Sequence, residues 1–274
     1  MNLKDNIAIV TGGSEGIGLG IASALAKEGV LVYLIARTQE KLDIAQKIII
    51  DNKGRAKTRS ADITNVQSIK DIIDEVYKDN KRLDIFVNNA GTWRPYTIST
   101  PFEEIKKILQ LDFTAPYEIT QYLAQKFSKE KNNHLKILTV LSQAALQVMS
   151  SGMGYGPAKM GLTSGLFHIQ KELEISKKNN IELYRLYPNT VGTKSALPLI
   201  KKGALQNATS LDSVVSAALD LLQGKTPTRD LRIGYQPGKG IVRTHLPSNP
   251  EHFYIHKGTE EEVDPDFIPQ DLIK

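Results

Sequence analysis

The stretch Ile7-Ala8-Ile9-Val10-Thr11-Gly12-Gly13-Ser14-Glu15-Gly16-Ile17-Gly18 runs from four apolar residues straight into a glycine-rich turn, and Ile17, Ile21, Ala24 and Leu25 then recur at helical spacing. A short apolar run, a glycine turn and an amphipathic period read as strand, loop and helix. Glycines let backbone amides approach a phosphate closely, and the helix N-terminus adds positive partial charge. The turn is therefore a candidate pyrophosphate cradle lined by Gly12, Ser14, Glu15, Gly16, Ile17 and Gly18. The common GxGxxG spacing is absent, because its third glycine would fall on Ile21 if it began at Gly16. The spaced glycines here are Gly12, Gly16 and Gly18.

Outward from this turn the same alternation repeats. Strand-like runs lie at Ile7 to Val10, Leu31 to Ile35, Leu83 to Val87, Leu135 to Val140 and Ile181 to Tyr187, with a weaker one at Ala56 to Ser60. Between them, Leu42, Ala45 and Ile49, then Ile69, Ile72, Ile73 and Val76, hold helical spacing, and Thr64 with Gln67 resembles a capping box. Alternating strand and helix predicts an α/β fold with a parallel sheet, right-handed crossovers and helices on both faces. The ligand crevice is expected at the carboxyl ends of the strands.

With 274 residues and 41% apolar content the chain can bury one large core, and residues 1–240 are expected to form a single domain. Beyond Gly240, Pro247, Pro250, Pro265 and Pro269 interrupt a segment rich in Glu260, Glu261, Glu262, Asp264 and Asp266, so residues 241–274 are expected to be a surface arm or a flexible extension. The absence of cysteine excludes a disulfide framework, a zinc ribbon and a thiol nucleophile, and suits a reducing compartment. The opening MNLKDNIAIV has no long uncharged apolar stretch, so a soluble cytoplasmic protein without membrane partners is expected. The net charge of +5 is dispersed among acidic residues, and nucleic acid is not an expected partner. Lys53, Arg55, Lys57 and Arg59 alternate with period two, which puts them on one side of an extended segment as a solvated face.

Three further motifs follow in order. Asn88-Asn89-Ala90-Gly91 succeeds the fourth strand, Ser142 follows the fifth, and Tyr155-Gly156-Pro157-Ala158-Lys159 opens a helical stretch. A four-residue separation puts the phenol and the ammonium on one helix face, and Pro157 is tolerated only in a first helical turn, so the pair belongs at a helix start. With the TGxxxGIG turn, this succession resembles the short-chain dehydrogenase/reductase family in its compact single-domain branch. The resemblance implies a Rossmann-like, doubly wound parallel sheet of about seven strands and a nicotinamide dinucleotide cofactor. It implies Ser142, Tyr155 and Lys159 as catalytic residues, and Asp62 as the carboxylate beside the adenine, followed by Ile63. Asn89, Ala90 and Gly91 would line the cleft. Pro188, Thr190, Val191 and Thr193 would meet the nicotinamide end, and Lys159 would hold its ribose.

Reduction of a carbonyl by hydride transfer builds negative charge on oxygen, so the site needs a proton donor and an orienting hydrogen bond. Tyr155 supplies the first and Ser142 the second in this reading. Bringing a phenol from about 10 to near 7 takes roughly 4 kcal/mol of preferential phenolate stabilisation, which Lys159 and an oxidised nicotinamide can supply. Where a second-strand acidic residue would select NAD(H), this chain has Ala36, Arg37 and Thr38, so NADP(H) is favoured over NAD(H). Glu15 stands against that preference, at a position where NADP(H)-binding relatives often carry a basic residue.

Two departures from the family pattern stand out. Asn189 replaces a usual glycine, and Asp112 replaces the asparagine that holds a water in the proton relay. A carboxylate accepts hydrogen bonds and pairs with lysine but cannot donate when ionised. Trp93, Tyr96 and Leu197 suggest an apolar substrate pocket for a carbonyl or alcohol whose identity is not legible. By resemblance, the helices from Phe102 to Lys126 and after Tyr155 pair subunits in a homodimer or homotetramer. The rival reading is a dinucleotide-binding regulatory protein with little turnover, which Asp112 and Asn189 favour and Ser142, Tyr155 and Lys159 oppose.

Overall fold

The computed structural model describes residues 2–130, 132–194, 196–202, 208–248, 258–264 and 266–267. In chain order the elements are β1 (Ile7–Thr11), α1 (Gly16–Lys27), β2 (Leu31–Ala36), α2 (Gln39–Asp51), β3 (Arg55–Ser60), α3 (Val66–Asn80), β4 (Ile85–Asn88) and α4 (Phe102–Leu109). A π-helical turn (Gln110–Thr114) leads into α5 (Ala115–Phe127) and β5 (Leu135–Val140), and a short 3₁₀ turn (Gln143–Ala145) precedes α6 (Tyr155–Ile175). Then come β6 (Ile181–Pro188), β7 (Thr190–Val191), α7 (Leu197–Lys201), β8 (Ala208–Thr209), α8 (Leu211–Gln223), β9 (Asp230–Gln236), β10 (Gly240–Leu246) and β11 (Thr259–Asp264).

The main sheet has the order β11-β10-β9-β6-β5-β4-β1-β2-β3. From β3 through β9 all neighbours are parallel. The strand order reverses between β1 and β4, and at such a point the loops leave in opposite directions and open a crevice. Every residue of β1 and of β5 is buried, as strands covered on both faces require. One core, including Ile21, Leu25, Leu42, Ala45, Val214 and Leu221, lies under α1, α2 and α8. The other, including Ile69, Ile73, Val76, Ile119, Leu123 and Ile169, lies under α3, α5 and α6. The fold class is the expected one.

Two expectations need correction, the number of strands and the cap of α3. The sheet has nine strands rather than about seven, because β10 and β11 extend it antiparallel from β9. The expected boundary at residue 240 falls on the first residue of β10, whose Ile241, Val242 and Leu246 are buried, so residues 240–246 belong to the sheet. The prolines that suggested an arm did not weigh against this strand, since the first of them, Pro247, follows it. Pro250, Pro265 and Pro269 lie outside the described residues. Finally, Asn65 rather than Thr64 caps α3, its side chain accepting from Ser68 N, while Thr64 donates its hydroxyl to Asp62 at 2.7 Å. Both types cap well, and pattern alone cannot choose between adjacent ones.

Arg55, Lys57 and Arg59 of the basic run lie on β3, an edge strand, and Lys53 lies in the turn before it. Arg55 pairs with Asp5, Arg59 pairs with Glu75, and Lys57 and Arg59 both lie over the Tyr33 ring, as period-two alternation requires. Charge along an edge also discourages pairing with another chain. No described helix is long and apolar enough to cross a membrane.

Candidate active site

The glycine turn leaves β1 and enters α1 with Gly12 and Gly16 at φ of +63° and +57°, conformations that favour glycine. A Cβ on Gly18 would lie 2.2 Å from the Gly12 carbonyl oxygen, so only glycine lets the helix start pack on the turn. Glu15, the residue before the helix, makes no side-chain cap, and no acidic residue lies in the first turn. The helix N-terminus is thus left without a side-chain cap or a nearby carboxylate in its first turn, which suits a pyrophosphate. Ser14 and Ile17 flank it, and Ile17 also packs against the core.

Thr11, fully buried, ties this turn to the end of β4. Its hydroxyl donates to Val87 O at 3.1 Å and accepts from Asn89 N and Ala90 N at 3.0 and 3.2 Å. The Asn89 amide returns to the Thr11 and Gly12 carbonyls. Sequence reading passed over Thr11 as a site residue; a buried threonine at a strand end carries a signal only once its partners are known.

At the end of β2, Arg37 is largely exposed and lies 3.9 Å from Asp62, and Thr38 caps α2 without a side-chain bond. Asp62 accepts from Thr64 N at 2.8 Å, and Ile63 is buried behind it. Lys41, in the first turn of α2, reaches Glu15 at 3.1 Å. This pair was not legible, because Glu15 and Lys41 are far apart in the chain and meet only where β1 and β2 run side by side.

Ser142 lies just beyond β5 and caps the 3₁₀ turn, its Oγ accepting from Ala144 N at 3.1 Å. Tyr155 and Lys159 lie in the first turns of α6, with Pro157 between them, and Lys159 Nζ is 5.5 Å from the Tyr155 ring centre. Asp112, from the π-helical turn, meets Lys159 Nζ at 3.1 Å and accepts from Thr92 N at 3.2 Å. Both members of the pair are buried. Gly91 passes so close that a Cβ there would lie 2.4 Å from Asp112 Oδ1 and 3.3 Å from Lys159 Nζ. Burial pushes the Tyr155 phenol above its ordinary range; Lys159 pulls it down, Asp112 pushes it up, and a bond with Ser142 lowers it. Burial disfavours the Lys159 ammonium, but Asp112 and Tyr155 together outweigh this and hold it above its usual range.

Pro188, the last residue of β6, is buried, and Thr190 and Val191 form β7. Thr193 approaches the glycine turn: a Cβ on Gly16 would lie 3.4 Å from its methyl. Asn189 does not take the positive φ that a glycine would permit. Its side chain accepts from the Thr209 hydroxyl at 2.6 Å and occupies the space over Gly234, where a Cβ would lie 2.7 Å from it. The glycine absent at 189 is matched by one on the adjacent strand. Trp93, Val148, Met149 and Met153 are exposed on the segments that follow β4 and β5, which the Tyr96 bridge to Gly152 joins. Ser195 lies outside the described residues.

The profile of the short chain dehydrogenase family matches residues 6–202. The chain is 32% identical over 177 residues to the rhamnolipids biosynthesis 3-oxoacyl-(acyl-carrier-protein) reductase of Pseudomonas aeruginosa, covering 63% of this chain and 68% of that one. It is 26% identical over 200 residues to a fatty acyl-CoA reductase of Acinetobacter baylyi, covering 72% of this chain and 66%, just under two thirds, of the relative. Among solved structures, a short-chain type dehydrogenase/reductase from Mycobacterium marinum superposes with a TM-score of 0.75 at 22% identity, covering 84% of this chain and 93% of that one. An actinorhodin polyketide ketoreductase with NADPH superposes with a TM-score of 0.73 at 21% identity, covering 80% and 90%. The chain belongs to the short-chain dehydrogenase/reductase family, whose members are NAD(P)-dependent oxidoreductases.

Proposed function

We propose that this chain interconverts a carbonyl and an alcohol with NADP(H) as the preferred cofactor. The observation that carries the reading is the meeting of Ser142, Tyr155 and a buried Lys159 beside a glycine turn whose Gly12 and Gly16 take positive φ and whose Gly18 admits no Cβ. The dinucleotide, when bound, supplies or accepts the hydride. Gly12, Ser14, Glu15, Gly16, Ile17 and Gly18 surround its pyrophosphate, Asp62 and Ile63 its adenine, and Asn89, Ala90 and Gly91 its central part. Pro188, Thr190, Val191 and Thr193 hold the nicotinamide end. Ser142 orients the carbonyl oxygen, Tyr155 donates its proton to it, and Lys159 orients the ribose and biases the phenol electrostatically.

Arg37 and the uncapped Thr38 hydroxyl support a 2′-phosphate subsite, since guanidinium and hydroxyl are both donors to phosphate oxygens. Glu15, which would repel such a phosphate, is neutralised by Lys41. The exposed Trp93, Val148, Met149 and Met153 support a substrate with an apolar body. This agrees with an acyl reductase among the relatives and with the likeness to a 7α-hydroxysteroid dehydrogenase complexed with 7-oxo glycochenodeoxycholic acid. A homodimer or homotetramer joined through α5 and α6 follows from the family habit, and light scattering of the purified protein tests it.

The decisive assay follows oxidation of NADPH, and separately NADH, across ketones, aldehydes and 3-oxoacyl thioesters, beside Tyr155→Phe. Oxidation that the substitution abolishes, with NADPH preferred, supports the reading. Tight dinucleotide binding without turnover on any of them would instead favour the regulatory reading.

A further inference from the structure

The Asp112–Lys159 contact bears on which half of the reaction this site is built to run. Among the described residues Lys159 carries the positive charge placed to stabilise a phenolate at Tyr155, and Asp112 sits 3.1 Å from that ammonium. The two are not loosely paired. Asp112 is fully buried and Lys159 nearly so, Thr92 N donates to the other carboxylate oxygen, and the pair packs so close to Gly91 that a Cβ there would lie 2.4 Å from Asp112 Oδ1. Burial pushes the Asp112 carboxyl above its ordinary range, and the adjacent Lys159 ammonium and the Thr92 amide act against this in favour of the carboxylate. The groups that face Tyr155 are Lys159 from its own helix, Asp112 from the π-helical turn and the neutral Ser142 from the end of β5.

A carboxylate this close to an ammonium cancels much of its field at a third group a few ångströms away. We propose, on the basis of the oxidoreductase reading above, that Asp112 holds Tyr155 as a phenol and so fits the site to carbonyl reduction, with alcohol oxidation confined to alkaline conditions. In reduction, hydride reaches the carbonyl carbon from the reduced dinucleotide while the proton passes from Tyr155 Oη to the carbonyl oxygen. The dinucleotide is oxidised, the carbonyl becomes an alcohol, and the phenolate left behind recovers a proton from solvent. Oxidation needs Tyr155 to begin as phenolate. The overall equilibrium is untouched by Asp112; what changes is the fraction of enzyme in the form that each direction requires. A higher phenol pKa keeps the reductive form populated and depletes the oxidative one at neutral pH.

The test reads the phenol directly. Tyrosinate absorbance is titrated without dinucleotide in the wild-type protein and in Asp112→Asn, each after subtraction of its Tyr155→Phe counterpart. Asp112→Ser stands in if Asp112→Asn fails to fold. The wild-type midpoint is expected above the reference value of about 10, and the neutral variant's midpoint about one pH unit or more lower. In turnover, the alkaline rise of kcat/KM for oxidation moves down in the variant by the same interval, as does the pH above which reduction falls. Equal midpoints, or a wild-type midpoint below about 10, would overturn the proposal. If no substrate turns over, the oxidoreductase reading fails on its own and the titration still decides whether Asp112 holds the phenol.

Discussion

Gly18 and Arg37 represent two kinds of residue-scale legibility. Gly18 was singled out from its spacing, and the structure supplies the reason, a 2.2 Å approach of any Cβ to a backbone oxygen that cannot give way. Gly18→Ala is expected to abolish measurable dinucleotide binding and to cost about 1–3 kcal/mol in unfolding free energy through overpacking. Fluorescence titration with NADPH and chemical denaturation check the two effects separately. Arg37 was read from residue type alone. Arg37→Ala is expected to weaken NADPH binding roughly tenfold or more and leave NADH binding nearly unchanged, as loss of a charge-assisted bond to one phosphate would. Equal weakening of both would remove the 2′-phosphate subsite. Lys41 escaped sequence reading for a simple reason: its partner Glu15 is 26 positions away.

At the scale of elements, the periodicities placed α2 and α3 well, since Leu42, Ala45 and Ile49, and Ile69, Ile72, Ile73 and Val76, are the residues they bury. The ends were less legible. Asn65→Ala is expected to cost about 1 kcal/mol, with Thr64→Ala costing less, because Asn65 satisfies an otherwise unpaired helix amide. Urea unfolding of both variants checks this order. The π-helical turn at Gln110–Thr114 left no mark in the pattern, yet it is what brings Asp112 into the site. Nor did the crossing of α5 and α6, where a Cβ on Gly165 would lie 2.6 Å from the Tyr117 ring.

Across the whole molecule, the join between β6 and β9 depends on a buried ion pair. Arg185 and Asp230 are fully buried, Arg185 Nη2 donates to Asp230 at 2.8 Å and to Gln170 at 2.7 Å, and the guanidinium lies 3.9 Å from the Phe167 ring centre. Tyr187 adds a bond to Asp230 at 3.2 Å. Removing one partner strands the other charge away from water. Asp230→Ala is therefore expected to lose roughly 3–5 kcal/mol, and the double change Arg185→Met with Asp230→Leu to lose much less. Denaturant midpoints of the single and double variants decide it. Sequence reading identified the sixth strand but not this pair, because nothing in a lone Arg or Asp announces burial. It also stopped the sheet too early, since β10 is held by antiparallel pairing to β9, and β11 to β10, rather than by the strand-helix alternation that signalled the rest.

Period and punctuation carried the parallel sheet, the glycine turn, the NNAG segment and the Tyr155–Lys159 pair. These depend on residues close together in the chain, where sterics and spacing act directly. What tertiary structure decided is the set of contacts between distant segments: Asp112 against Lys159, Lys41 against Glu15, Asn189 against Gly234 and Arg185 against Asp230. Each joins groups brought together only by the packing of strands and helices, and charge or volume has meaning there only through its neighbour.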